Sequence, residues 1–282
     1  MRLVLVYNSK SGNAVAKETL LHLFTERNIT IDTLVEVGAG FELKLKEHIK
    51  NNAYIAVVGG DGTLSTVANL MVGTEAVLVP LPGGTLNHFT KDLGIPQDLA
   101  DAVLELTKAH IIKVDVASVN GTVFLNNSSI GIYPSSLLVR DKFEPIFGKW
   151  PAAVIASLRA VIRLRGYTVL LQNKVFRTPF VFIGNNEYRL DMVGAPVRAL
   201  MDKGVLSLFI AKKVSRVALV KIACLSFIGR AHLATDFETC TTKAVTIKSL
   251  RRSLNVSHDG EVSRMRTPLH YKVRSKALRV LC

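Results

Sequence analysis

The sequence predicts an α/β fold class: an N-terminal parallel sheet covered by helices, followed by a β-rich antiparallel sandwich. Three observations carry this. Apolar runs of strand length alternate with stretches of helical spacing up to residue 108, the pattern that builds a parallel sheet from strand–helix–strand units. Residues 53–58, Ala-Tyr-Ile-Ala-Val-Val, are almost continuously apolar, as expected of a strand buried on both faces. Beyond residue 111 the pattern changes to short alternating runs, which suit an antiparallel sandwich or barrel.

In order, residues 3–7 read as a strand, 13–27 as a helix, 29–37 as a strand and 43–50 as a helix. Residues 53–58 are the buried strand, 63–72 a helix, 76–81 a strand and 98–108 a helix. The later strand-like runs are 114–119, 123–127, 169–171, 178–183, 205–210, 244–247, 254–257, 269–273 and 278–281. Helices are expected near 150–164 and 216–233. The change of pattern at 111–119 sets the expected domains as residues 1–117 and 118–282. No Gly/Ser- or Pro-rich linker marks the boundary, so close packing of the two is expected, and there is no internal repeat.

Of the 282 residues, 49% are hydrophobic and 21% charged, enough apolar material for substantial cores and unlike a disordered chain. No apolar run reaches the roughly 20 residues that span a bilayer. The opening Met1-to-Tyr7 segment is too short for a signal-peptide core, so the expected location is cytoplasmic. The oily run 217–228 is interrupted by Lys221 and flanked by Arg216 and Arg230; it reads as a core-packed helix or as an interfacial helix that meets anionic lipid. Cys224, Cys240 and Cys282 are far apart, which argues against a disulfide framework or zinc site. The net charge of +14 attracts anions. Without a zinc-finger, basic-zipper or RNP-type signature, phosphorylated substrates or an anionic membrane surface fit better than nucleic acid.

The buried strand runs straight into Gly59-Gly60-Asp61-Gly62-Thr63, and a helix follows. Glycines let the backbone approach a ligand closely. The outward N–H groups and dipole of a helix N-terminus favour an anion. Thr63 can cap the helix or donate to a phosphate oxygen. Neither the Walker pattern nor GxGxxG is present, and alone the loop could be a tight turn. An acid such as Asp61 in a phosphate cradle calls for magnesium or a proton-handling role. A second loop, Leu81-Pro82-Gly83-Gly84-Thr85-Leu86-Asn87, follows the next strand, and a third, Asn8-Ser9-Lys10-Ser11-Gly12, follows the first. All three fall at strand carboxyl ends, where open α/β sheets bind ligands.

Taken in order, these motifs resemble the diacylglycerol kinase-like lipid kinase family, which includes soluble bacterial lipid kinases and sphingosine kinases and is distantly similar to NAD kinases and phosphofructokinases. The resemblance runs through Asn8 to Gly12, Gly59 to Asn69, Pro82 to Pro96, Val114-Asp115, Phe124 to Gly131, Ala195-Pro196 with Asp202 and Gly204, and His258-Asp259-Gly260-Glu261. It implies an N-terminal nucleotide domain, a β-rich substrate domain and an active site in the cleft between them. It further implies ATP and Mg²⁺ as cofactors, with Gly59, Gly60, Asp61, Gly62, Thr63, Leu64, Ser65 and Thr85 contacting ATP and Asn87 and Asn8 beside them. Glu261 would be the general base, assisted by Asp259. A lipid hydroxyl, diacylglycerol first, would be the acceptor, with peripheral contact at the inner face of the membrane; a homodimer is left open, and no metal-ligand set is assigned.

The chemistry is consistent with these roles. Phosphoryl transfer needs positioning, magnesium and a group to receive the hydroxyl proton. In a strict strand Asp259 and Glu261 would share a face and could hold one magnesium ion; the alternative for Asp-Gly-Glu is a hairpin turn with exposed acids. Asp61 is left between a magnesium role and a role with Glu261 on the acceptor, and Asp115 between metal or acceptor support and a plain edge acid. Three positions depart from the family pattern: His88 stands where many members carry Asp, Val35-Glu36-Val37-Gly38 lacks a Thr near the nucleotide, and Asp202-Lys203-Gly204 replaces Asp-Asp-Gly. Lys203 puts a cation where relatives hold a structural magnesium ion, so that ion is expected to be absent or replaced by the ammonium. Two further readings are a NAD-kinase-like enzyme with a soluble acceptor and a non-catalytic lipid- or nucleotide-binding module.

Overall fold

The structure is a computed structural model that describes residues 1–51, 53–131, 167–171, 174–190, 196–198, 200–211 and 237–282. The helices expected near 150–164 and 216–233, with Cys224, lie outside these residues. Contacts divide the chain into two compact units. The first comprises Met1–Val116, Thr122–Leu125 and Arg274–Cys282; the second comprises Ala117–Gly121 and Asn126–Val273.

In the first unit, β1 (Arg2–Tyr7), β2 (Thr30–Glu36), β3 (Tyr54–Gly59) and β4 (Val77–Pro82) are parallel and lie in the order β2-β1-β3-β4. All six residues of β4 and five of the six in β3 are buried, as a sheet covered on both faces demands. The helices are α1 (Lys17–Glu26), α2 (Phe41–Lys50), α3 (Asp61–Met71), α4 (His88–Asp92) and α5 (Leu99–Glu105). Leu3, Leu5 and Tyr7 of β1 form one core cluster with Leu20 and Phe24 of α1 and Ala102 and Val103 of α5. α2 and α3 pack on each other and on β2 and β3, and their buried Leu45, Ile49, Leu64 and Val67 lie outside that cluster.

Two differences from the sequence reading matter for the site. The first helix begins at Lys17 rather than residue 13. Asn13 is held by a neighbouring loop instead, its backbone N–H donating to the Gly83 carbonyl at 3.1 Å and its Nδ2 to the Gly84 carbonyl at 2.8 Å. α4 was not expected; it is a single short turn that opens at Asn87, which adopts a left-handed conformation.

β5 (Ile111–Val119) and β6 (Thr122–Phe124) form a hairpin. The second unit holds a six-stranded sheet in the order β14-β13-β10-β7-β16-β17, antiparallel at each pairing, from β7 (Asn127–Gly131), β10 (Phe180–Asn185), β13 (Leu206–Ala211), β14 (Phe237–Thr242), β16 (Ser253–His258) and β17 (Glu261–Arg266). A second array runs β18-β15-β8-β9, from β8 (Tyr167–Leu171), β9 (Lys174–Thr178), β15 (Ala244–Lys248) and the first residues of β18 (Leu269–Leu281). β11 (Tyr188–Leu190) and β12 (Pro196–Arg198) pair separately. Ser128 of β7 links the two arrays, meeting the Ser257 carbonyl at 2.7 Å and the Tyr271 hydroxyl at 3.2 Å. Burial pushes the Tyr271 pKa well above its usual value, so it stays a neutral hydrogen-bonding group.

The run expected as one strand at 123–127 is two, β6 and β7, turning at Leu125-Asn126. The runs expected at 269–273 and 278–281 are instead one strand, β18. Within it Lys276 has φ 49°, and the buried Asp115 accepts the Lys276 N–H at 2.7 Å. That bond holds an irregularity that leaves Arg279 and Val280 in parallel register with Val77 and Leu78 of β4.

Candidate functional site

The strand order β2-β1-β3-β4 reverses direction at β1 and β3. Open α/β sheets bind ligands outside the carboxyl ends of the strands at such a switch point. The loop Asn8–Gly12 follows β1, the loop Gly60–Thr63 follows β3, and Gly83–Asn87 follows β4, so all three glycine loops gather on that edge.

They interlock tightly. A Cβ on Gly84 would lie 2.4 Å from Gly60 Cα, and one on Gly83 would lie 2.7 Å from the Gly59 nitrogen. A Cβ on Gly12 would lie 2.2 Å from Thr85 Oγ1, and one on Gly59 would lie 2.8 Å from Thr63 Cβ. The glycines thus serve backbone-to-backbone packing of the loops as well as an open surface. Asn8 donates its Nδ2 to Thr63 Oγ1 at 2.9 Å and accepts the Lys10 N–H at 3.1 Å. Because Thr63 Oγ1 is the acceptor, its own hydrogen remains for another acceptor, as a phosphate oxygen would be. Helix α3 starts after Gly60 with no side-chain cap, so its N-terminal amides and dipole favour an anion.

Asp61 ties the loop after β3 to α4. Its two carboxylate oxygens accept the N–H groups of His88 at 3.0 Å and Phe89 at 2.9 Å, capping α4. Asn87 Oδ1 accepts the Gly84 N–H at 2.8 Å and fixes the loop from inside. Thr85 is exposed at the loop surface. Leu64 and Ser65 differ: Leu64 is fully buried in the core, and the buried Ser65 donates to the Val123 carbonyl at 3.3 Å. Where the family Thr is missing, Glu36 at the end of β2 accepts the Ser9 hydroxyl at 2.6 Å, tying the first loop to the sheet. His88 is exposed.

In the second unit, Asp259 and Glu261 are not neighbours on one strand. Asp259 and Gly260 form the two-residue turn between β16 and β17, with φ 45° and 86°, the geometry of a tight hairpin turn that Asp-Gly favours. The alternative of a hairpin turn with exposed acids therefore holds for the turn and for the exposed Glu261, but not for Asp259, which is buried. Its Oδ1 accepts the N–H groups of Asn126 at 2.8 Å and Asn127 at 3.1 Å, and its own N–H donates to the Asn127 carbonyl at 2.9 Å. The clamp fixes the turn that presents Glu261, the exposed first residue of β17. Near 203, Asn186 Oδ1 accepts the N–H groups of Lys203 at 2.9 Å and Gly204 at 3.2 Å, so a side-chain amide closes that loop. Cys240 and Cys282 are free, and burial raises both thiol pKa values, which suppresses the reactive thiolate.

Among the described residues no group of three or more His, Cys, Asp and Glu could hold a metal ion. Sequence reasoning missed Asn13, Asn126 and the pairwise glycine packing. Glycine spacing alone could have flagged the last; the two asparagines carry no local signal. The Asp61 geometry yields a prediction. Asp61→Asn keeps one acceptor oxygen and turns an NH₂ toward the other amide, so it is expected to cost about 1–3 kcal/mol, read as a lower thermal midpoint.

The model of the diacylglycerol kinase catalytic domain matches residues 2–119. The chain is 28% identical over 264 residues to a Staphylococcus haemolyticus protein named "Putative lipid kinase", covering 85% of this chain and 81% of that one. It is 35% identical over 112 residues to a Staphylococcus aureus protein of the same name, covering 38% of this chain and 36% of that protein's length. A Bacillus anthracis crystal structure, described as a putative diacylglycerol kinase, superposes over 99% of this chain and 96% of its own with a TM-score of 0.74 and 25% identity. No helix among the described residues is long and apolar enough to cross a membrane. With the glycine loops at the switch point and the Asp-Gly-Glu hairpin in place, residues 2–119 match the diacylglycerol kinase catalytic domain, and the chain as a whole is similar to lipid kinases, phosphotransferases that act on an alcohol group.

Proposed function

We propose that this chain transfers the γ-phosphate of ATP to a lipid hydroxyl, with diacylglycerol the first acceptor to test and Glu261 the general base. One observation carries the nucleotide half of this reading: three interlocked glycine loops stand at the sheet's switch point, in front of an α3 N-terminus that no side chain caps. The amides there and the Thr63 hydroxyl would hold phosphate oxygens, while Thr85 would flank them from the next loop. Asn8, Asn13 and Asn87 keep the loops in register, so little reorganisation is needed when phosphate arrives.

The acceptor half rests on the hairpin. Glu261 directly follows a clamped two-residue turn, which fixes where its backbone presents the carboxylate, and a base must stand within hydrogen-bond reach of the hydroxyl it deprotonates. Asp259 supports Glu261 by fixing that turn through Asn126 and Asn127. Magnesium, when bound with the nucleotide, would neutralise charge on the β- and γ-phosphates. An ion of this kind needs only one or two protein carboxylates beside the phosphates, which suits a chain with no dense ligand cluster among its described residues.

Offering ATP with diacylglycerol, a sphingoid base, NAD and a soluble polyol tests the reading. Product with a lipid alone supports it; product with NAD alone would make this a NAD-kinase-like enzyme, and tight ATP binding with no product would make it a binding module. Asp259→Ala is expected to lose two amide anchors and about 1–3 kcal/mol of stability, seen as a lower unfolding midpoint.

A further inference from the structure

We propose that the turn between β15 and β16 docks the protein on an anionic phospholipid surface, with Arg251, Arg252 and Arg266 taking lipid phosphates and Leu250 entering the headgroup layer. This rests on the lipid-kinase reading, because an enzyme acting on a bilayer-resident alcohol must stay at the bilayer.

The turn opens on a concavity of about 610 Å³ lined by Leu250, Arg251, Arg252, Arg266 and Thr267 with Ser249. All three arginines are exposed. Among the described residues no acidic side chain lines the concavity, and residues 243–258 and 262–282 contain neither Asp nor Glu. Lys248 and Arg264 stand exposed on the adjoining strands. Five cations without an interspersed acid are unusual for a surface meant only to be soluble, which mixes both signs.

Leu250 distinguishes a membrane from other polyanions. Its relative exposure is 109%, the largest of any large hydrophobic residue described. RNA or a soluble phosphate has no use for an aliphatic side chain at the apex of a basic turn, whereas an interfacial site combines an apolar tip with a basic ring. The tip is also preformed. Arg251 N–H donates to Ser249 Oγ at 3.1 Å, Thr267 N–H donates to the Arg252 carbonyl at 3.0 Å, and the Thr267 hydroxyl donates to the Arg251 carbonyl. Binding therefore does not have to order the loop.

The surface is separable from the chemistry. Ser253 pairs with Arg266 at one end of the β16–β17 hairpin and His258 with Glu261 at the other, an offset of roughly 17 Å at about 3.4 Å per residue. Substitutions at the arginine end leave the Asp259 clamp and Glu261 untouched.

The test is vesicle sedimentation of the full chain with phosphatidylcholine vesicles, with and without phosphatidylglycerol. The wild type is expected to sediment only with the anionic vesicles and to be released by high salt, which screens such contacts. A cluster of basic residues contributes roughly fivefold in affinity per residue near an anionic membrane, so Arg251→Ala/Arg252→Ala/Arg266→Ala is expected to weaken binding on the order of a hundredfold. Leu250→Ser is expected to weaken it by about tenfold through lost apolar burial. Thermal midpoint and turnover on a micelle-presented acceptor should match the wild type. Equal sedimentation with both vesicle types, or undiminished binding by the triple variant, overturns the proposal; so does binding to RNA through the same arginines without binding to vesicles. Sedimentation needs no phosphate transfer, so vesicle binding by a chain that phosphorylates no lipid would sink the proposed function and leave the docking surface standing.

Discussion

Glu261→Gln is expected to lower turnover by roughly 10²–10⁴-fold, the range by which a positioned general base accelerates proton transfer, while ATP affinity stays at the wild-type value. The separation follows from where the residues sit. Glu261 opens β17 in the second unit, whereas the glycine loops and the uncapped α3 terminus belong to the first. Gln is nearly isosteric with Glu, and the Asp259 clamp that shapes the turn rests on the backbone N–H groups of Asn126 and Asn127. The fold is therefore undisturbed, and the thermal midpoint should not move. Steady-state kinetics paired with equilibrium nucleotide binding reads both halves. A variant that lost ATP binding in parallel with turnover would mean that Glu261 acts through the nucleotide and not as the base.

Gly84→Ala has the opposite signature. Its new Cβ would meet Gly60 Cα at 2.4 Å and Asn87 Oδ1 at 3.0 Å, and the first of these is backbone that no rotamer change can move. The loops after β3 and β4 must separate, at a cost of about 1–3 kcal/mol for an overpacked site. That separation also strips the Gly84 N–H from Asn87 and the Gly84 carbonyl from Asn13. Nucleotide affinity is expected to fall at least about tenfold, the equivalent of about 1.4 kcal/mol, and the unfolding midpoint to fall with it. Calorimetric binding and thermal melts check the pair of effects. Unchanged ATP affinity in a folded Gly84→Ala protein would show that this edge of the sheet is not the phosphate site.

The parallel half of the fold was legible because its signals are local. The apolar run 54–58 is followed at once by glycines and an amphipathic helix, and the structure has β3 and α3 there. The short alternating runs after residue 111 likewise announced antiparallel sheets. What stayed hidden depends on partners distant in the chain. Nothing near residue 13 shows that Asn13 will be held by Gly84, 71 positions later, so the first helix reads as longer than it is. The alternation at 269–281 shows two strands where a bond from Asp115, 161 positions away, carries one strand through an irregularity at Lys276.

The site divides in the same way. Its motifs could be placed from sequence, but the orientation of its acids could not. Asp61 looked misplaced among phosphates until its oxygens were found on the amides of His88 and Phe89. Asp259 looked like a partner of Glu261 across a glycine, yet it is a turn residue bound to Asn126, 133 positions away. Both acids accept hydrogen bonds from backbone amides, and Glu261 is the exposed carboxylate of the three.

The most direct measurement is transfer of label from γ-labelled ATP into a total lipid extract, followed by separation of the lipid products, with wild type and Glu261→Gln run side by side. Label in a lipid fraction with the wild type, and its loss in the variant, is the result that phosphoryl transfer to a lipid hydroxyl by Glu261 predicts. ATP bound by the wild type with no lipid labelled, or equal labelling by both proteins, would contradict it.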